Sequence, residues 1–204
     1  MAVVAVLLGL PFGLRVWETI AFDRRAGLGI VAVTLPMLLG FLICKNLPLE
    51  GFRMIDRLVR EIFREHMQRL PVWKLAGIGV LAGVGEELLF RGLMQTGLIR
   101  LLDYFIPGHF GYHGMIAVVI FVSLLFGLGH AITKTYFFLA FLISVYLGTV
   151  FLLSENILVP IAAHALYDIV VLLWYKIETA KDENGLQPQS ELRSATADSI
   201  NDVE

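Results

Sequence analysis

Long stretches of the sequence carry no charged side chain. Residues 26–44, AGLGIVAVTLPMLLGFLIC, are one example. A bilayer core about 30 Å thick is crossed by a helix of roughly 20 mainly apolar residues, and such a helix satisfies its own backbone hydrogen bonds. The whole chain has this character, since 57% of its residues are hydrophobic and 17% are charged, where about 25% charged residues is usual. The sequence therefore predicts an all-α integral membrane protein.

We predict a bundle of six membrane-spanning helices in one domain, followed by a polar tail. The predicted spans are residues 1–22, 26–44, 72–102, 114–133, 135–154 and 157–175. The first begins without the positively charged segment that opens a secretory signal, so we expect it to be retained. Beyond Tyr175 the sequence is polar and weakly acidic and has no apolar pattern. We therefore assign residues 1–175 to the membrane domain and expect residues 176–204 to form a disordered C-terminal tail.

A segment between the second and third spans is amphipathic. In residues 50–71, EGFRMIDRLVREIFREHMQRLP, apolar side chains recur at helical spacing and charged side chains occupy the other face. We predict an amphipathic helix that ends at Pro71 and either lies in the membrane interface or packs on its neighbours as a connector. Residues 45–74 contain seven Lys or Arg residues, so the positive-inside rule places this loop and both termini in the cytoplasm. We expect the protein to reside in the plasma membrane.

The stretch GVGEELLFRG, residues 83–92, places three charged side chains in an apolar span. A charge at the centre of a membrane helix costs about 2.5 to 3.5 kcal/mol. Glu87 and Arg91 stand in the favourable acid-before-base order at helical spacing, so we expect them to form an ion pair within their helix. Glu86 is rotated by about 100° from that pair. Its charge needs another helix, water in a cavity or a bound proton, which makes Glu86 the candidate for chemistry.

Two later spans carry further polar groups. His130 follows FVSLLFGLG with Phe126 one helical turn before it, and His164 and Asp168 lie in PIAAHALYDIV. Because His164 and Asp168 are one helical turn apart, the carboxylate can fix the tautomer of the imidazole or hold it charged. A simple up-and-down topology puts His130 near the cytoplasmic end of its helix and His164 nearer the opposite end. If they converge, Glu86 and the two histidines can hold one water molecule.

These groups allow more than one interpretation. Taken singly, an ion pair or a histidine within the membrane is typical of a structural contact between helices. Polar groups on three apolar helices together favour a functional site. Glu86, His130 and His164 can also ligate zinc with an open position for water, so a metal-dependent hydrolase is an alternative. A scaffold, immunity protein or transporter that uses the same groups to bind a partner helix or relay protons is another.

Several other classes of function find no support in the sequence. A net charge of −2 provides no attraction for nucleic acid. The single cysteine, Cys44, excludes an internal disulfide and is typical of a small apolar residue in a span. HExxH and CxxC zinc motifs and a glycine-rich phosphate loop are absent. We therefore expect no nucleic-acid partner, and the sequence leaves the oligomeric state open.

Three motifs resemble those of a known family. EELLFRG resembles the EExxxR motif of the CAAX-protease and bacteriocin-processing family (CPBP, Abi) of glutamate intramembrane endopeptidases. FGLGH resembles its FxxxH motif and HALYD its HxxxN/D motif, in the same order and at fitting intervals across residues 72–172. Members of that family are polytopic helical proteases that cleave without a metal, and the eukaryotic branch trims prenylated CaaX proteins after the prenyl cysteine. The resemblance therefore implies no bound metal and no other cofactor.

The resemblance implies a role for each matched catalytic residue. Glu86 would be the general base that activates a water molecule, and His130 would help to hold that water. His164 and Asp168 would stabilise the oxyanion. The substrate implied is a membrane-associated peptide or protein, of which the prenylated CaaX type is one class.

The same motifs supply residues that would support the site. Glu87 and Arg91 would brace it, and Phe126 places an aromatic ring beside the first histidine. The physics of the residues agrees with these assignments. A carboxylate in a dry cavity can act as a base near neutral pH, and donors aimed at a developing oxyanion commonly supply about 3 to 4 kcal/mol.

Overall fold

The computed structural model of the protein describes residues 5, 9–10, 13–15, 17–107 and 111–201, with side chains as far as residue 182. Within these ranges the regular secondary structure is helical and contains no strand, which confirms the predicted all-α fold. Much of the first predicted span, residues 1–22, lies outside the described residues.

The described helices account for the remaining predicted spans. In chain order they are α1 Arg24–Asn46, α2 Glu50–His66, α3 Val72–Glu87, a π-helical segment Leu88–Gln95, α4 Thr96–Phe105, α5 Gly111–Gly129, α6 Lys134–Ser154 and α7 Leu158–Asn201. In the part of the chain that the structure describes, four helices are long and apolar enough to cross a membrane: α1, α5, α6 and the Leu158–Asp182 part of α7. The continuous helical run from α3 to α4 corresponds to the span predicted at 72–102, so a count of about six is consistent with the structure.

Side-chain caps define the helix ends around the α6–α7 region. The hydroxyl of Thr133 accepts a hydrogen bond of 3.0 Å from the amide of Tyr136 and begins α6. At the other end, Glu155 adopts the left-handed conformation, with φ of 51°, and ends that helix. Asn156 then accepts a hydrogen bond of 3.0 Å from the amide of Leu158 at the start of α7. These caps fix where α6 and α7 enter and leave the bundle.

Small residues let α3 and α7 pack with their backbones in near contact. A Cβ atom added to Gly83 would lie 2.7 Å from the amide nitrogen of Ala165 and 2.9 Å from the carbonyl oxygen of Ile161. At Gly79 an added Cβ atom would lie 3.0 Å from the backbone nitrogen of Ile169. Small residues commonly permit such close approach between membrane helices. This close contact places the acidic C-terminal end of α3 beside His164 of α7.

The amphipathic helix α2 packs its apolar face on its neighbours, which is one of the two arrangements predicted for it. Phe63 is buried in a cluster with Leu75 and Tyr175. The helix ends at His66, earlier than the predicted end at Pro71. The amide of Met67 donates to the carbonyl of Phe63 at 2.8 Å and closes the last turn there. Packing against α7 thus holds α2 in place, and its position in the membrane interface stays a prediction.

A network of ion pairs joins α2 to α1 and α7. Asp56 accepts hydrogen bonds from Lys45 at 2.8 Å, from Arg60 at 2.8 Å and from the hydroxyl of Tyr175 at 2.9 Å. Glu178 pairs with the same two cations, each at 2.7 Å. Burial raises the pKa of Asp56, but the hydrogen bonds from Lys45, Arg60 and Tyr175 outweigh burial and hold its pKa below the ordinary value. The stabilisation is therefore complete above the ordinary aspartate pKa and is lost as the pH falls through the lowered value.

Helix α7 continues past the predicted end of the membrane domain at Tyr175. The ammonium group of Lys176 donates to the carbonyls of Gln68 at 2.8 Å and Leu70 at 2.9 Å. Thr179 is fully buried. The first part of the segment predicted to be a disordered tail is therefore packed helix, because its polar side chains bind α2 and the loop that follows α2. The division of the chain into two parts otherwise stays a prediction.

Removing the charge of Asp56 should loosen α2. We expect Asp56→Asn to lower the free energy of unfolding by roughly 1 to 3 kcal/mol, because it weakens hydrogen bonds to charged groups. Thermal unfolding in detergent and hydrogen–deuterium exchange over residues 50–66 measure the effect. Glu50→Gln is the control, because Glu50 is exposed on the same helix and its ion pair with Arg57 lies at the surface. Equal effects of the two substitutions would contradict the role given to Asp56.

A second pair of substitutions tests the close contact between α3 and α7. Gly83→Ala should destabilise the protein by about 1 to 3 kcal/mol, because the new methyl group meets the backbone of α7. Gly77→Ala, on the same helix with nothing within 4 Å of the added atom, should leave stability unchanged or slightly raised. Thermal unfolding in detergent separates the two. A Gly83→Ala protein that unfolds at the wild-type temperature would show that the helices are not in near contact.

Candidate active site

A buried ion pair lies where α3 passes into the π-helical segment. Glu87 ends α3, and its Oε2 atom is 3.0 Å from the Nε atom of Arg91, as the spacing in the sequence predicts. The two side chains are 0% and 1% exposed, so each depends on the other for charge compensation. Arg91 also donates to the backbone carbonyl of Ser144 at 2.9 Å, and its guanidinium lies 5.5 Å from the ring centre of Phe126. The pair therefore links α3 to α6. π-Helical segments often mark functional sites.

The second oxygen of Glu87 holds His164. The Nδ1 atom of that imidazole is 2.8 Å from Oε1 of Glu87 and is buried with it. Asp168, which the sequence put forward as the orienting carboxylate, lies 3.7 Å from Nε2 of His164, beyond hydrogen-bond length. In this structure Glu87, and not Asp168, orients His164. Because Glu87 and His164 are 77 positions apart, helical spacing in the sequence could not predict this contact.

Glu86 lies between the two histidines. Its Oε2 atom is 3.9 Å from Nε2 of His130 and 3.9 Å from Nε2 of His164. These distances are too long for direct hydrogen bonds and are suited to a bridging water molecule. The expectation that the two histidines lie at opposite depths was wrong, because the close packing of α7 on α3 brings His164 to the carboxylates. The three groups singled out by the sequence are brought together.

Phe126 determines the orientation of His130. The backbone carbonyl of Phe126 is 2.8 Å from Nδ1 of His130, and a carbonyl oxygen can only accept. The proton of the neutral ring is therefore on Nδ1, which leaves the lone pair of Nε2 toward Glu86. The Phe126 ring also stacks on the imidazole, with centres 4.4 Å apart and planes inclined by 21°. Phe126 thus supports the site through both its backbone and its ring.

A cavity of about 670 Å³ connects this cluster to the amphipathic helix. Its inner end contains Glu86, His130, His164 and Asp168, and its far end contains Lys45, Asp56 and Tyr175. Apolar side chains form most of the wall between them, including Met37 and Phe41 of α1, Ile55 and Val59 of α2, and Val171 and Leu172 of α7. The sequence did not identify this wall, because cavity-facing and lipid-facing apolar residues look alike in a membrane span.

Among the residues that the structure describes, the candidate site does not form a metal-binding cluster. No group of three or more His, Cys, Asp or Glu side chains in those ranges is arranged to hold a metal ion. The zinc alternative requires Glu86, His130 and His164 to converge at about 2 Å from one point. Metal independence stays a prediction that a chelator can test.

Comparison with known proteins identifies the family. Residues 68–170, just over half of the chain, match a family described as type II CAAX prenyl endopeptidase Rce1-like. The chain belongs to this family. The matched segment contains every candidate catalytic residue, from Glu86 to Asp168, and the resemblance drawn from the sequence motifs is thereby confirmed. No curated protein and no solved structure matches the chain significantly. The Rce1-like family is a family of proteases, and this member is a multi-pass membrane protein.

The adjacent glutamates of this Rce1-like protein should differ in what they contribute to stability. Glu87→Gln leaves Arg91 as an uncompensated buried charge and should cost about 3 to 5 kcal/mol. Glu86→Gln changes a side chain that faces the cavity and should leave the unfolding temperature near that of the wild type. Thermal unfolding of both variants in detergent makes the comparison. Equal loss of stability in the two variants would contradict the distinction between Glu87, as the buried counter-ion of Arg91, and Glu86, as a side chain of the cavity.

Proposed function

We propose that the protein is an intramembrane endopeptidase that cleaves a membrane-associated peptide or protein with a water molecule activated by Glu86. The observation that supports this most directly is the position of the Glu86 carboxylate, 3.9 Å from Nε2 of both His130 and His164, at the inner end of a largely apolar cavity. The arrangement leaves room for a water molecule and for a peptide carbonyl beside it. Membership in a protease family supports the same reaction.

In the first step, Glu86 acts as the general base. The water molecule donates one hydrogen bond to the Glu86 carboxylate and the other to the lone pair of His130 Nε2. As the water oxygen bonds to the carbonyl carbon of the substrate, a proton passes from the water to Glu86, and the carbonyl oxygen becomes an oxyanion. A carboxylate shielded from bulk water is suited to this transfer.

In the second step, Glu86 acts as the general acid. It gives the proton to the amide nitrogen, the carbon–nitrogen bond breaks, and a new carboxyl group and an amine are released. His164 in its charged form donates from Nε2 to the oxyanion, while Glu87 stabilises the imidazolium through Nδ1. Asp168, 3.7 Å from Nε2, adds negative potential that favours the charged imidazole. No step requires a metal ion.

The cavity wall supports a substrate that carries an apolar group. A chain of the prenylated CaaX type presents a lipid group beside its scissile bond, and side chains of α1, α2 and α7 offer apolar surface for such a group. The charged groups at the far end, Lys45 and Asp56, lie where the cavity meets the packed connector α2. We propose a prenylated CaaX-type substrate, delivered by the plasma membrane.

Cleavage of a fluorogenic prenylated CaaX peptide in detergent tests the proposal. Wild-type protein should cleave it with and without a chelator, because water is activated by a carboxylate. Glu86→Gln should abolish cleavage, and His130→Ala should lower kcat by at least about 100-fold, in the range typical of lost acid–base catalysis. Both variants should unfold near the wild-type temperature. Mass spectrometry of the products gives the cleaved bond.

Glu61→Gln is the matched control, since it makes the same change on the exposed face of α2. Its activity should equal that of the wild type. Full activity of Glu86→Gln would exclude glutamate catalysis, and loss of wild-type activity in chelator would favour the metal-dependent alternative. A protein that cleaves no prenylated peptide, and whose Glu86 variant changes only partner binding or transport, would favour the scaffold or transporter alternative.

A further inference from the structure

The motif residues supply one hydrogen-bond donor to the oxyanion of the proposed reaction. An oxyanion is stabilised by donors aimed at the place where charge develops. His130 presents the lone pair of Nε2 to the cavity, and an ionised Asp168 carboxylate can only accept. His164 supplies a donor from Nε2 when it is charged. A second, uncharged donor at the inner end of the cavity would therefore add to the stabilisation of the oxyanion.

Tyr136 lies at the inner end of the cavity, beside His130. It borders the same cavity as Glu86, His130 and His164. Its ring lies edge-on to the imidazole of His130, with centres 6.1 Å apart and planes inclined by 68°. The capped first turn of α6 holds its backbone, with the amide bound to Thr133.

The hydroxyl of Tyr136 is available to a ligand. Within the described part of the chain it makes no hydrogen bond, whereas the hydroxyl of Tyr146 donates to the carbonyl of Val33 and that of Tyr175 donates to Asp56. A phenol is a good donor to an oxyanion, because removing its neutral hydroxyl from water costs less free energy than removing a charged group does. Tyr167 also borders the cavity, but it packs against the apolar cluster around Leu147, whereas the ring of Tyr136 meets that of His130.

We propose that Tyr136 is a further catalytic residue, whose phenolic O–H donates a hydrogen bond to the oxyanion formed when water attacks the substrate carbonyl. This inference rests on the proposed function. The proton stays on Tyr136 throughout, since the water proton goes to Glu86 and then to the leaving amine. The oxyanion forms and collapses with the hydrogen bond in place, so no additional reactant is needed. Tyr136 thereby supplies the donor that an ionised Asp168 cannot.

Tyr136→Phe tests the proposal by removing one oxygen atom and keeping the ring. We expect kcat for the prenylated peptide to fall about 100-fold, as for loss of one oxyanion donor, with KM changed by less than about threefold because the contact forms only in the transition state. Affinity for a phosphinate analogue of the peptide, whose tetrahedral centre carries an anionic oxygen, should fall by a similar factor. Affinity for an uncleavable ground-state analogue should stay the same. The unfolding temperature in detergent is measured alongside.

Two further variants make the result specific. Tyr146→Phe, on the same helix, removes a hydroxyl that is already bound to Val33 and should keep wild-type kcat. Tyr167→Phe should lower kcat much less than Tyr136→Phe. An unchanged kcat in Tyr136→Phe, or an equal loss of kcat in Tyr167→Phe, would overturn the role given to Tyr136. The proposed function would still be upheld in that case if the Glu86→Gln protein were inactive. A wild-type protein that cleaves none of the peptides would overturn both.

Discussion

The Glu87 carboxylate, shared between Arg91 and His164, is the interaction on which the rest of the structure depends. One of its oxygens meets the guanidinium and the other the imidazole, and it is entirely buried. Breaking such a contact leaves an uncompensated charge in a medium that cannot solvate it. Because Arg91 also binds the backbone of α6 at Ser144, one set of contacts joins α3, α6 and α7. The helices that carry Glu86 and His164 are thus joined by the polar residues beside them.

This anchor explains how two neighbouring glutamates acquire different chemistry. Successive residues on a helix point about 100° apart. Glu87 points into the closed contact between helices and is 0% exposed, whereas Glu86 points into the cavity and is 16% exposed. The first can therefore serve only as a fixed counter-ion. The second is open to the cavity, which is what the proposed general base requires.

Local features of the site were predictable, and distant contacts were not. The Glu87–Arg91 pair follows from helical spacing, and the three motifs follow from residue type and order. The contact of Glu87 with His164 joins residues 77 positions apart, so no local pattern reports it, and the sequence consequently favoured Asp168 as the partner of His164. The π-helical segment was equally hidden, because its residues are ordinary helix formers. The ordered start of the predicted tail depends on ion pairs with α2 that composition does not reveal.

The cavity takes its candidate catalytic groups from one stretch of the chain and part of its wall from another. The polar groups at the inner end lie within residues 68–170, which the family shares, whereas the wall formed by α1 and α2 precedes that segment. Substitutions in the wall can change the volume and shape of the cavity and leave Glu86 and the two histidines intact. The shape of the cavity and its polar groups can accordingly be altered separately. For inhibitor design, a group fitted to α1 and α2 would contact a part of the cavity that lies outside the segment matched by the family.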